Sequence, residues 1–356
     1  MSIRAFALPI SMFSLALVSA CTGKGDTSGH TFDSDTAGVC GRVRGATGIL
    51  LYDDLGDTLH APTDAPSTTT KTTGVAGPVG GPTGMAAVYG GNVLISSDTG
   101  CNWTEAGGLP ARGDWALVAA GDRVYAFDRT SGSGAWSDDL GDSWTPFDTS
   151  QPFVDTPTWD GANRLRGIQT RGVVTSEDGG ATWTLAGTPP FSPSGGSVSP
   201  TNLDVVVIAG EEGLAISHTG GATFEDISTT LVGIESGPVA GLRAVTSPAD
   251  DNVIFAITDA TDGTRTIQRS VDGGASWDRQ GDSTQITIGD DARLYPMPMD
   301  STMVLSSSFV AADNKMNLYR ITAGDGIHSV GVGGYTTMQQ IAIMDDRWVA
   351  AVSAVP

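Results

Sequence analysis

The chain has 356 residues, with 40 acidic against 19 basic side chains and a formal charge of −21 at pH 7. That excess works against nucleic acid and anionic lipid surfaces as partners, because both are held by clustered lysine and arginine. With 48 glycines and 18 prolines, the composition suits short strands separated by turns.

Residues 1–21 read as an export signal: Arg4, an apolar stretch from Ala5 to Val18, then small residues. Val18-Ser19-Ala20-Cys21 resembles the lipobox of bacterial lipoproteins. The resemblance implies cleavage before Cys21 and lipidation of that residue. Thr22 follows it rather than Asp, which implies the outer membrane of a Gram-negative bacterium. An ordinary cleaved signal with a nearby cysteine is the alternative. No later run approaches the ~20 apolar residues of a membrane helix, so the lipid would be the sole anchor. Residues 22–39 are rich in Gly, Thr, Ser and Asp and read as a disordered tether. Residues 40–356 are then expected to form a single domain. Cys40 and Cys101 remain for a disulfide in an oxidising compartment, and sequence leaves open whether they meet.

One frame recurs along this domain: Ser-x-Asp-x-Gly-x-x-Trp. It occurs as Ser96/Asp98/Gly100/Trp103, Ser137/Asp139/Gly141/Trp144, Ser176/Asp178/Gly180/Trp183 and Ser270/Asp272/Gly274/Trp277. Ser217/Thr219/Gly221/Phe224 is a near copy. The starts lie 41, 39, 41 and 53 residues apart, a repeat period. The residue types suit a hairpin turn. The Asp accepts backbone N–H groups, the Gly permits positive φ, and the aromatic is expected to open the return strand and bury a large apolar area.

Each frame sits in a unit of four short β-prone runs. Before the last copy these are Leu242–Thr246, Val253–Ile257, Thr266–Arg269 and Trp277–Gln280. Four strands per ~40–45 residues is a propeller period. Tyr52–Leu59 is a worn copy of the frame, and Ala61–Gly91 reads partly as a long loop, with a strand at Val75–Val79. Downstream, Arg293–Met297, Met303–Ser307, Asn317–Ile321 and Ile327–Val330 form a unit without the frame. Gln340–Met344 and Trp348–Val352 supply two last strands, and Cys40–Leu59 two first ones. The expectation is an all-β, seven-bladed propeller of four-stranded antiparallel blades: six continuous blades and a closing blade shared by both ends. Closure would remove exposed sheet edges.

The frame resembles the Asp-box, or BNR repeat, of sialidases, sortilin-type receptors, photosystem assembly factors and some glucan hydrolases. The resemblance implies a propeller with the boxes at one rim, away from the ligand pocket. It does not fix an activity. A sialidase would need an arginine cluster, a Tyr nucleophile with a Glu partner, an acid/base Asp and a Phe/Tyr-Arg-Ile-Pro motif. The motif is absent and the arginines are dispersed in sequence. The glucan hydrolases usually place a cleft between two propellers, and one domain of this length makes only one.

Adjacent carboxylates at Glu211/Glu212, Asp250/Asp251, Asp290/Asp291 and Asp345/Asp346 could serve glycoside chemistry if suitably spaced, but read first as solvated turns. His30, His60, His218 and His328 are scattered, and no Cys/His spacing suggests a metal. No cofactor motif occurs. The face opposite the boxes carries Arg112, Trp115, Arg129, Phe153, Trp159 and Arg265, residue types enriched at recognition surfaces. Inner-strand packing competes as the role of Trp115 and Trp159. The sequence thus points to a monomeric, lipid-anchored envelope module that recognises protein or glycan, without cofactor, metal or nucleic acid. A glycoside hydrolase is the alternative.

Overall fold

A computed structural model describes residues 48–53, 58–60, 72–111, 113–231, 240–259, 263–310, 315–330, 337–344 and 347–353. The export signal, Cys21, the tether, Cys40, Arg112 and Asp345/Asp346 lie outside the described residues.

The first two strands are β1 (Ile49–Asp53) and β2 (Thr58–His60). The first blade holds β3–β6 (Thr72–Ala76, Met85–Tyr89, Asn92–Ser96, Thr104–Gly108). The second holds β7–β10 (Trp115–Ala120, Arg123–Asp128, Ser133–Ser137, Thr145–Asp148), and the third β11–β14 (Thr158–Trp159, Leu165–Gln169, Gly172–Ser176, Thr184–Gly187). The fourth holds β15–β18 (Gly195–Val198, Val206–Gly210, Gly213–Ser217, Glu225–Asp226). The fifth holds β19–β22 (Ala240–Ser247, Asp250–Asp259, Arg265–Ser270, Asp278–Asp282). The sixth holds β23–β26 (Arg293–Pro296, Met303–Val310, Lys315–Thr322, Gly326–Val330). The last strands are β27 (Thr337–Met344) and β28 (Arg347–Ser353).

Six blades, not seven, are therefore continuous in the chain. The seven-fold count expected from sequence holds only when the remaining four-stranded sheet, in the order β2-β1-β28-β27, is counted as a blade. Its middle pair joins the two ends, with Ile49 opposite Ala351 and Tyr52 opposite Trp348. Each blade packs on the next through its first strands. β3 lies between β27 and β7, and β24 and β25 reach back to β27, so the ring closes. Seven apolar clusters fill the spaces between blades, built from alternate residues of the middle strands. Val205, Val207 and Ala209 face one neighbour, while Val206 and Ile208 face the other.

The recurring frame has a structural cause visible four times. The Ser hydroxyl donates to the Asp carboxylate, at 2.8 Å in Ser96–Asp98 and 2.7 Å in Ser137–Asp139, and accepts the N–H of the Gly. The Asp also accepts the N–H and side chain of the residue four further on, as Ser143 does for Asp139. In the near copy Thr219 replaces the carboxylate and pairs with Thr223 Oγ1 at 2.8 Å.

The frame glycines stand at φ +91 to +95° in all five copies and pack on the preceding blade. A Cβ on Gly141 would lie 2.7 Å from Val93 Cγ1, one on Gly221 2.5 Å from Val173 Cβ, and one on Gly274 2.8 Å from Ile227 Cδ1. Positive φ was expected of these positions from sequence. Their second duty, leaving room for the neighbouring blade, was not.

Three local expectations are corrected. The frame aromatics do not open the return strands: Trp103, Trp144, Trp183, Phe224 and Trp277 each sit one residue before them. In three copies the indole N–H turns back onto the turn. Trp103, Trp144 and Trp183 donate to the Gly100, Gly141 and Gly180 carbonyls at 2.7, 3.0 and 3.0 Å, so the residue does not continue the ladder. Trp277 donates instead to Thr230 Oγ1 at 3.2 Å, and Phe224 has no N–H to give.

Burial of these rings is also uneven. Trp103 and Trp277 are 4% and 3% exposed, whereas Trp144, Trp183 and Phe224 are half-buried and pack at the margins of their clusters. The third correction concerns the strand expected at Val75–Val79. It runs instead over Thr72–Ala76, since Gly77 and Pro78 interrupt pairing. Cys101 is disulfide-bonded, and neither other cysteine is among the described residues.

Candidate functional site: a charged mouth opposite the recurring turns

The frame turns join third to fourth strands. Beside them lie the turns between first and second strands: Gly179, Gly220 and Gly273 donate backbone bonds to Asn163, Asp204 and Asn252. These two sets share one face. The turns between second and third strands and the connections between blades therefore form the other, here called the loop face.

At the centre of the loop face three arginines converge. Arg129 follows β8, Arg243 lies in β19, and Arg293 opens β23. Arg129 is half-buried and held by its own bonds. Its Nη1 donates to Asp114 Oδ1 at 3.0 Å, to the Thr73 carbonyl at 2.8 Å and to the Trp115 carbonyl at 3.1 Å. Its Nη2 donates to the Gln339 carbonyl at 3.1 Å. One guanidinium thus holds the second blade to the first and to the closing blade. Arg243 Nη1 donates to the Ser194 carbonyl at 3.1 Å. Arg293 has no hydrogen-bonded or ion-paired partner among the described residues.

The charges act on one another. Burial pushes the Arg129 and Arg243 guanidinium groups below their ordinary value; Asp114 opposes this at Arg129, and Arg293 reinforces it at both. Arg293 is also disfavoured by burial, but Tyr295, Asp155, Asp114 and Asp291 together hold it above its ordinary value. The Tyr295 contribution needs a phenolate, and burial raises that phenol. At neutral pH the aspartates alone compensate Arg293, and all three arginines remain charged.

The nearby carboxylates are largely committed. Asp114 holds Arg129. Both oxygens of Asp291 accept the Phe309 N–H at 3.1 Å. Asp128 closes the turn after β8 through Thr130 and Ser131; burial raises it, but these bonds prevail and hold it below the ordinary carboxylate value. Asp155 accepts only the Thr156 N–H, at 2.7 Å.

Between the second, third and sixth blades these groups line a pocket of about 170 Å³, with Phe127, Arg129, Phe153, Asp155, Pro157 and Arg293 on its wall. Phe153 stands edge-to-face with Phe127 at 5.3 Å and with Trp183 at 5.2 Å. Its ring covers Gly167, where a Cβ would lie 2.5 Å away.

The residues singled out from sequence go to different places. Arg129 and Phe153 line the pocket. Trp115 is 2% exposed and packs between the first and second blades. Trp159 is half-buried, and its indole donates to Ala162 in a turn on the frame face. Arg265 is tied to Asp259 at 2.8 Å, to Asp290 and to the Ile288 carbonyl, at the rim between the fifth and sixth blades. The frame residues stay out of the pocket: Trp103, Trp144, Gly221, Phe224 and Gly274 all serve contacts between blades. Among the carboxylate pairs, Glu211 and Glu212 are exposed, and Asp251 accepts the Ser199 and Thr201 hydroxyls. Arg243 and Arg293 were missed. The one feature they share is a cationic side chain inside a first strand, the strand nearest the central opening. The described residues hold no cluster of three or more metal-ligating side chains, and no helix among them is long and apolar enough to cross a membrane.

No family model matches the chain, and no curated protein matches it in sequence. Solved structures do. A GH74 xyloglucanase from Xanthomonas campestris aligns with a TM-score of 0.60 and 15% identity, over 83% of this chain and 54% of that one. A GH74 enzyme from Niastella koreensis aligns at 0.55 and 19%, over 79% and 41%. YCF48 bound to D1 peptide aligns at 0.54 and 12%, over 88% and 98%.

The chain is a β-propeller. At these identities the likeness shows that fold alone, and the chain spans about half the length of the GH74 enzymes.

Proposed function

We propose that this propeller is a non-catalytic recognition module for a protein or glycan of the cell envelope, bound at the mouth of the loop face. The recurring turns are Asp-boxes that fasten each blade to its neighbour. Export and lipidation at Cys21 would hold the domain at the outer membrane, a reading that rests on the lipobox resemblance. The observation carrying recognition is the pocket itself, where Arg293 stands without a partner beside two phenylalanines. Arg129, Asp114, Asp128 and Asp291 are already engaged, while Arg293 and Asp155 keep capacity for a ligand. The similar structures support the reading in kind, since one holds a bound peptide and another is a xyloglucanase.

The test is a binding panel of envelope proteins and glycans on the purified chain, with Phe153→Ala and Arg293→Gln in parallel. Binding that both variants weaken supports the proposal. Hydrolysis of any glycan, abolished by Asp155→Asn, would replace it with the glycoside-hydrolase alternative. For the anchor, a Cys21→Ser chain is expected to leave the membrane fraction.

A further inference from the structure

We infer, building on the recognition reading above, that the mouth is a carboxylate site whose ligand is a peptide presenting that group beside an apolar side chain. Arg293 contacts the carboxylate, Arg129 is a positioning residue, and Phe153 with Pro157 takes the apolar part.

The first support is charge. In a chain of net charge −21, Arg129 and Arg293 share one pocket wall, and Arg243 lies near enough to Arg293 to be disfavoured by it. Their mutual repulsion in a half-buried site is relieved by an anion placed among them. Asp114 is bound to Arg129 itself, Asp291 accepts the Phe309 N–H, and Asp155, also on the pocket wall, acts on Arg293 through space without an ion pair.

The second support is the division of work among the arginines. Arg129 spends its donors on three backbone carbonyls and Asp114, and Arg243 donates to Ser194. Arg293 keeps its planar fork available, and it lines the pocket. A guanidinium fork matches a carboxylate in a two-bond geometry that a water or a hydroxyl cannot reproduce.

The third support is the wall opposite. About 170 Å³ is smaller than the ~300–1,000 Å³ typical of sites for drug-sized ligands, and it holds one side chain. Phe127 is 3% exposed, and its contact with Phe153 is edge-to-face. The Phe153 ring also lies over Gly167, so one of its faces is already covered. An aliphatic side chain packs against such edges, which favours a peptide over an acidic glycan.

The experiment uses two pools of N-acetylated dipeptides, one as free acids and one as C-terminal amides, observed by saturation-transfer NMR on the purified chain. The free-acid pool is expected to give signals at least tenfold above the amide pool. Arg293→Gln should remove them, and Arg293→Lys should keep a part, with both variants melting as the parent does. Equal signals from the two pools, or silence from both, overturns the inference. Signals unchanged in Arg293→Gln do the same. An oligogalacturonate that binds where peptides do not would overturn the peptide assignment. If an envelope partner binds the parent and is lost in Phe153→Ala while both pools stay silent, the carboxylate inference fails and the recognition reading survives.

Discussion

The two faces of the propeller use polar side chains in opposite ways. On the frame face, each box carboxylate is saturated within its own turn: Asp139 accepts from Ser137 and twice from Ser143. On the loop face, Arg293 points into a pocket and bonds to nothing described. Both faces are built from turns, and both carry charge. The second leaves a whole guanidinium over at a pocket wall, and that surplus rather than the abundance of polar residues marks a site. Repetition follows the same division. The frame recurs because every blade must dock on the one before it, whereas the mouth draws single residues from different blades.

The comparison can be broken most forcefully at Arg129, which belongs to the loop face yet behaves like a frame residue. Arg129→Ala removes the bonds to Thr73, Trp115 and Gln339 and leaves Asp114 without its cation. The pair is half-buried, but three carbonyls lose a charged donor worth about 1.5–3 kcal/mol each, so a loss of about 3 kcal/mol is expected. Chemical denaturation should show it, as a lower midpoint at unchanged slope. A loss under about 1 kcal/mol would mean that the blades do not depend on this guanidinium.

Next comes Ser137→Ala. The Ser137 hydroxyl is buried, donates to Asp139, and accepts from the Asp139 and Gly141 N–H groups. Leaving buried donors unsatisfied costs about 1–3 kcal/mol, again read from the denaturation midpoint. The same change at Ser217 should cost less, because its partner Thr219 is a hydroxyl rather than a carboxylate.

How much of this was legible in the sequence follows from the same contrast. The recurring turns could be found because turn chemistry is local: Ser, Asp, Gly and Trp act within eight residues and leave a spacing. The shared blade could be foreseen because strand runs at both ends lacked two partners each. The arginine mouth could not. Arg129, Arg243 and Arg293 are dispersed along the chain and meet only through ring closure, so their spacing carries no signature. Trp159 misled for a related reason. The sequence placed it on the face opposite the frame, but it lies in a first strand and its ring turns to the Ala162 carbonyl, which sequence does not locate. The spacing of Trp103 and Trp144 was equally plain, yet their place just outside the strand follows from bonds to the Gly100 and Gly141 carbonyls. In the first blade, the Gly77-Pro78 step displaced a strand that β-propensity alone placed too late.

A smaller effect sharpens the comparison from the other side. Thr219→Asp restores the carboxylate of the frame in the fourth blade. The new carboxylate could accept the Thr223 N–H, which Thr219 Oγ1 now accepts at 2.9 Å, together with the Thr223 and Ser217 hydroxyls. A stabilisation of about 1 kcal/mol is expected from charge-assisted bonds replacing neutral ones. No gain would show that the near copy already satisfies its turn as well as the four full ones.

The smallest effect is a slope. Asp139 is raised by burial but more strongly lowered by Ser143 and Ser137, and ends below the ordinary carboxylate value. Asp178 and Asp272 are lowered by Thr182 and Ser276 respectively. A carboxyl group whose value falls on folding stabilises the protein above its unfolded value and loses that contribution as pH drops through the folded one. Stability should therefore hold down to about pH 4 and decline below it, the unfolded Asp value being about 3.9. Asp139→Asn combined with Asp178→Asn and Asp272→Asn should flatten that acid limb in melting curves taken between about pH 2 and 5, and lower stability at neutral pH. Peptide binding at the mouth should be unaffected by this triple change, since the boxes and the pocket lie on opposite faces. A binding loss that tracked the box aspartates would show that the two faces are coupled through the blades.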